Sequence, residues 1–173
     1  MRHVLRLLGI TGLLLMATLL APYAPKSAVA SCIDPPKHDV NWRRCDFSGR
    51  SLTGIDVSGG TLSGARFLRA DLRGARFVGA HVDGAKFVTV EAQGADFTES
   101  NALGADFTKA NLEGAIFVNA DLRRVQFFRA NLKGADLTGA RLDGADLLYA
   151  DLSGALWIDG TTRCAEGSIS LCK

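Results

Sequence analysis

Few residues of this chain combine the type and the spacing that chemistry requires. Cys32, Cys45, Cys164 and Cys172 fall two near one end and two near the other, with 118 Cys-free residues between them. Four thiolates can hold a tetrahedral metal ion, but one pair at each end is a poor arrangement for that. An even count otherwise reads as disulfides, with three connectivities open. His38 and His81 stand apart from each other and from any cysteine. Asp71 and Glu91, twenty residues apart, are the carboxylate pair to test for acid–base work. No apolar pocket is in prospect around them to raise either pKa. The sequence therefore predicts no catalytic residue, no metal site and no cofactor.

The elements that would position such groups begin at residue 31. Residues 1–30 read as a secretory signal peptide: Arg2 and Arg6 precede an apolar run from Leu7 to Ala21, and Ala28-Val29-Ala30 forms a small-x-small cleavage site. The run is too short for a membrane span, which needs about 20 residues. Val29-Ala30-Ser31-Cys32 resembles a lipobox, so membrane anchoring would require lipidation of Cys32, but two prolines and Lys26 separate it from the apolar run. The whole chain carries 20 Lys+Arg against 18 Asp+Glu. Removing Arg2, Arg6 and Lys26 with the leader leaves 17 against 18. That balance does not point to nucleic acid, and export places the cysteines where disulfides persist.

From Cys45 the chain divides into 23 consecutive five-residue blocks without insertion, ending at Asp159. The third position is Phe in eight and Leu in ten; the rest are Val57, Val82, Ala92, Ala102 and Trp157. The first position is Ala in 16 blocks and the fifth is Gly in 14. A period of five fits neither a helix nor a strand. It requires a chain that turns inward every five residues, with first and third side chains inside and a positive φ at the fifth. Four such turns close a square coil of 20 residues, and stacking at strand spacing gives about 5.75 coils, a rod roughly 28 Å long.

Ala70-Asp71-Leu72-Arg73-Gly74 and Ala110-Asn111-Leu112-Glu113-Gly114 resemble the pentapeptide repeat family, with its pattern A-(D/N)-L-x-x. The resemblance covers residues 45–159 and implies an all-β, right-handed quadrilateral parallel β-helix. Trp157-Ile158-Asp159-Gly160 and the following paired cysteines resemble the tail of exported bacterial members.

The square coil makes an internal prediction: residues 20 apart stack. Phe47, Phe67, Phe87, Phe107 and Phe127 then form one column, completed by Leu147, and Phe77, Phe97 and Phe117 the opposite one. Gly54, Gly74, Gly94, Gly114, Gly134 and Gly154 fill one corner. The corner after the long Phe column reads Gly49, Arg69, Thr89, Lys109, Arg129, Tyr149, which predicts a different turn type there. Residues 31–44 and 160–173 are the flanks that must cap the rod. Ends roughly 28 Å apart cannot share a bridge, because a disulfide needs Cα atoms within about 7 Å. Cys32–Cys45 and Cys164–Cys172 are the expected pairs.

Inward Phe, Leu and Ala leave no cavity for a small-molecule substrate. The sequence predicts a non-catalytic exported scaffold or protein-binding module of the cell envelope, periplasmic or extracellular, with an unknown protein or a second copy as partner. The alternative comes from the resemblance: some cytosolic members resemble the DNA duplex in size and negative charge and bind DNA gyrase. Near-neutral charge and the export signal disfavour it here. The candidate interface is the outward stripe Leu68, Val88, Phe128 and Leu148 with the basic corner Arg69, Lys109 and Arg129. The competing explanation is β-propensity on a flat face.

Overall fold

The computed structural model describes residues 31–173; the segment expected to be a signal peptide, residues 1–30, lies outside the described residues. Twenty parallel β-bridges join residues 20 apart, from Asn41↔Thr61 to Asp136↔Leu156. The chain is thus a β-helix whose coil takes four blocks. The four faces are named here in order from the block at Cys45: the first starts at Cys45, the second at Arg50, the third at Ile55 and the fourth at Gly60, each recurring every 20 residues.

Each block satisfies its backbone in the same way. The second-position N–H donates to the coil before, as in Arg66 to the Cys45 carbonyl at 2.8 Å. The third and fifth donate to the coil after, as in Phe67 to Lys86 at 2.7 Å and Arg69 to Val88 at 3.1 Å. The first position closes the corner, as Ala70 does to Phe67 at 2.9 Å. Only the fourth N–H is left over. The second-position Asp or Asn takes it: Asp96 Oδ1 accepts from Thr98 N at 3.0 Å, and Asp136 Oδ1 from Thr138 N at 2.9 Å. This is why the second position favours a short carbonyl-bearing side chain.

The core is the two Phe columns, the two mainly Leu columns that hold Leu72, Leu112 and Leu122, and the alanines between them. Phe67, Phe87 and Phe107 stack at 5.0 and 4.6 Å with planes within 4°. Phe77 and Phe97 stack at 4.7 Å on the opposite side. The columns meet edge to face at the centre of the coil, Phe87 on Phe97 at 5.7 Å and 85°. Ala92 and Ala102 occupy the other two inward positions of that coil and are fully buried.

Two sequence expectations are corrected. The corner of Arg69, Thr89, Lys109, Arg129 and Tyr149 is not a different turn: all five take φ of 55–61°, like the glycine corners. The ladder imposes the same geometry on every corner, so an L-residue there accepts left-handed strain rather than changing the turn. The ladder also begins before Cys45: Asn41 bridges Thr61, and Val40 and Trp42 are buried, so 40–44 is a repeat block and the N-terminal flank is 31–39.

Both ends are closed by their own disulfide. Cys32–Cys45 has Cα atoms 5.4 Å apart, and Cys164–Cys172 4.8 Å. Trp42 covers Phe47 at 4.3 Å between ring centroids. At the other end the tail turns back and pairs antiparallel, Leu156 with Arg163 and Asp151 with Ile169. Reversed pairing stops the parallel ladder on the second and third faces.

Candidate interaction face

The groups that could do chemistry are occupied structurally. Arg73 grips Asp71 with Nε at 2.9 Å and Nη2 at 2.6 Å, and these bonds hold the Asp71 carboxyl down to about 2. Glu91 accepts from Gln93 at 2.9 Å and Asn111 at 3.1 Å. With its pKa held down by Arg73, the Asp71 carboxylate is not set up to carry a proton near neutral pH. His38 Nε2 lies 3.4 Å from Asp56 Oδ2. Among the described residues no group of three or more His, Cys, Asp or Glu is placed to hold a metal ion. No helix among them is long and apolar enough to cross a membrane.

The first face is where apolar and basic side chains point outward together. Inward Phe at the third position turns the fourth outward, giving Ser48, Leu68, Val88, Thr108, Phe128 and Leu148. The corner N–H groups hold these in line: Lys109 donates to the Phe128 carbonyl at 2.9 Å and Arg129 to Leu148 at 3.0 Å. Leu68, Val88 and Phe128 are half-buried, and Leu148 is 49% exposed. Thr108 interrupts the stripe, so Leu68 and Val88 stand apart from Phe128 and Leu148.

At the C-terminal end of this face the side chains gather. Phe128 meets Tyr149 edge to face at 5.8 Å. The Arg129 guanidinium lies 5.2 Å from the Phe128 ring centre and 5.6 Å from that of Tyr149. Tyr149 is 56% exposed and belongs to this cluster, although it was not among the expected interface residues. Its signal was in the sequence: it sits one coil after Arg129 in the same corner.

Charge on the face is uneven. Arg66 pairs with Asp46 at 3.5 Å and Lys86 with Asp106 at 3.4 Å. Among the described residues Arg69, Lys109 and Arg129 have no carboxylate within ion-pair distance, which leaves a basic ridge beside the stripe. The third face also presents apolar groups, with Ile116 36% and Ile158 38% exposed.

The family model for pentapeptide repeats matches residues 51–87, 93–127 and 120–156. A trypsin-treated variant of QnrB1, a plasmid-mediated fluoroquinolone resistance protein, is 31% identical over 68% of this chain and 60% of its own, with a TM-score of 0.65. A second trypsin-treated QnrB1 variant is 27% identical over the same shares, with a TM-score of 0.54. Rfr23, a pentapeptide repeat protein from the cyanobacterium Cyanothece 51142, is 20% identical over 69% of this chain and 89% of its own, with a TM-score of 0.49. The chain thus spans 60% of each QnrB1 structure. No curated protein matches it.

Proposed function

The chain belongs to the pentapeptide repeat family, whose model matches more than half of it, and we propose that it is an exported, non-catalytic member that binds protein through its first face. In this reading the coil is right-handed, as the family resemblance implies, with about six turns once the block at 40–44 joins the 23 that begin at Cys45. The observation that carries the reading is the cluster of Phe128, Arg129, Leu148 and Tyr149: an aromatic pair, an arginine over both rings and an exposed leucine on a rigid face. Aromatic and arginine side chains on a preformed surface are what protein interfaces concentrate.

Two disulfides support an oxidising compartment. The Cys32 sulfur is bonded to Cys45, which supports a released protein over one lipidated at Cys32. Arg66, Arg69, Arg76, Arg123, Arg124 and Arg129 point outward on three faces, a poor match to the acidic surface a DNA mimic requires.

The test is site-specific photocrosslinking in the native envelope. A crosslinker at Leu148 should give discrete protein adducts that disappear with Phe128→Asp, while one at Thr53 on the second face should give none. Equal adducts from both positions, or Leu148 adducts unchanged by Phe128→Asp, would refute the first face as the binding surface.

A further inference from the structure

We infer that the first face of one copy docks on the third face of another, so that the protein associates with itself side by side in an open row. The inference rests on the reading of the first face as a binding surface and names its partner. Blocks ten residues apart lie on opposite sides of the coil, as the edge-to-face contact of Phe67 and Phe77 at 6.1 Å across the centre shows. Both faces have the same flat architecture, so their rungs repeat at the same spacing and can align along the rod.

Their charges are complementary. The first face carries Arg66, Arg69, Lys86, Lys109 and Arg129 against Asp46, Asp106 and Asp146, a net +2. The third carries Arg76 against Asp56, Asp96, Glu99, Asp136 and Asp159, a net −4. The ion pairs inside each face sharpen the contrast. Arg76 lies 3.6 Å from Asp56; among the described residues Asp96, Glu99, Asp136 and Asp159 on this face have no cation partner, and Arg69, Lys109 and Arg129 on the first have no carboxylate partner. Each face also has an apolar stripe beside its charges, with Val78, Ile116, Val118 and Ile158 outward on the third.

This pattern selects the partner. Two first faces would bring net positive ridges together, and two third faces would oppose net negative ones, so both symmetric pairings are disfavoured. First on third satisfies both. Because the complementary faces lie on opposite sides of one molecule, each bound copy still offers a free face, and the association is heterologous and does not close. A single face of a rod roughly 28 Å long is a small contact, so the association is weak and falls with salt.

The experiment is sedimentation velocity on the protein expressed with its own leader and purified from the compartment it reaches. Wild type should exceed dimer mass as concentration rises towards roughly 1 mM at low ionic strength, and return to monomer in high salt. Lys109→Glu with Arg129→Glu disables the first face. Asp96→Asn, Glu99→Lys and Asp136→Asn disable the third while keeping the side-chain oxygens that cap Thr98 N and Thr138 N. Each variant alone should be monomeric, with its thermal midpoint retained. An equimolar mixture should form a 1:1 dimer and stop, because only one intact first face and one intact third face remain to meet. A third-face variant that associates like wild type would overturn the inference, as would a wild type that stays monomeric throughout. If Phe128→Asp abolishes the Leu148 crosslinks while the third-face variant leaves them unchanged, the first face binds a different protein; loss of neither refutes both readings.

Discussion

Phe87 and Phe107 are separated by 20 residues and stack with ring centroids 4.6 Å apart and planes 4° from parallel. Phe87 also stacks on Phe67 and meets Phe77 and Phe97 edge to face. It therefore has four aromatic neighbours inside a closed coil that cannot collapse around a gap without breaking its ladder. Phe87→Ala should cost about 3–5 kcal/mol in urea unfolding, and Phe87→Leu about 1–2 kcal/mol. A loss below about 1 kcal/mol would mean that the column repacks more freely than its stacking geometry allows.

Lys109 takes φ 57° in an exposed corner, a conformation that costs an L-residue about 1–2 kcal/mol relative to glycine. Glycine gives back part of that through its freer unfolded chain. Lys109→Gly should therefore stabilise the coil by about 0.5–1 kcal/mol. The opposite change should have the opposite sign: Gly114 has φ 66° and nothing within 4 Å of a Cβ position, so Gly114→Ala pays the backbone cost without a clash. Paired denaturation curves of the two variants check both signs.

The period of five was legible because inward positions alternate Ala with Phe or Leu, and a 20-residue stack sorts the eight Phe into two of the four columns. The disulfide pairs followed from the length of the rod. Three things were not legible, each for a physical reason. The non-glycine corners looked like another turn because composition reports residue preference, whereas the ladder dictates φ at every corner regardless. Trp42 was set aside with the flank, although Val40 and Trp42 repeat the inward spacing one block earlier; an unusual aromatic and two arginines hid the pattern. The antiparallel return of the tail onto Ala150–Leu156 carries no period at all, since it is fixed by the edge it covers.

Asp159 organises that return. Its carboxylate accepts from Thr162 Oγ1 at 2.5 Å, Thr162 N at 2.7 Å and Thr161 N at 2.9 Å. These hydrogen bonds, that from the Thr162 hydroxyl foremost, hold its pKa down at about 2 from 3.8. A depressed carboxylate stabilises the fold fully above the unfolded value, and the contribution is lost as pH falls through the folded value. The turn before Cys164 should thus be insensitive to pH above about 4 and loosen between about 4 and 2. An NMR titration of the Asp159 carboxyl should give a midpoint near 2; a midpoint at 3.8 would show that these bonds do not persist in solution. Asp159→Asn should remove the pH dependence of Thr161 and Thr162 amide exchange in that window.

Ser100 is 1% exposed, and its Oγ has no hydrogen-bond partner among the described residues. It occupies an inward first position where the same column elsewhere has Gly60, Ala80, Ala120 and Ala140. Its backbone needs no help from the hydroxyl, because Ser100 N donates to the Phe97 carbonyl at 3.1 Å and its own carbonyl accepts from Asp121 N at 2.9 Å. A buried hydroxyl that gives up water without gaining a protein partner costs about 1–3 kcal/mol. Ala102, beside it, supplies no polar atom. Ser100→Ala removes the unpaired group with almost no change of shape, so it should raise stability by about 1 kcal/mol while leaving the spectrum of the folded state unchanged. Urea unfolding decides the sign. A destabilised Ser100→Ala would show that the hydroxyl is satisfied in solution, most simply by a water in the space beside Ala102.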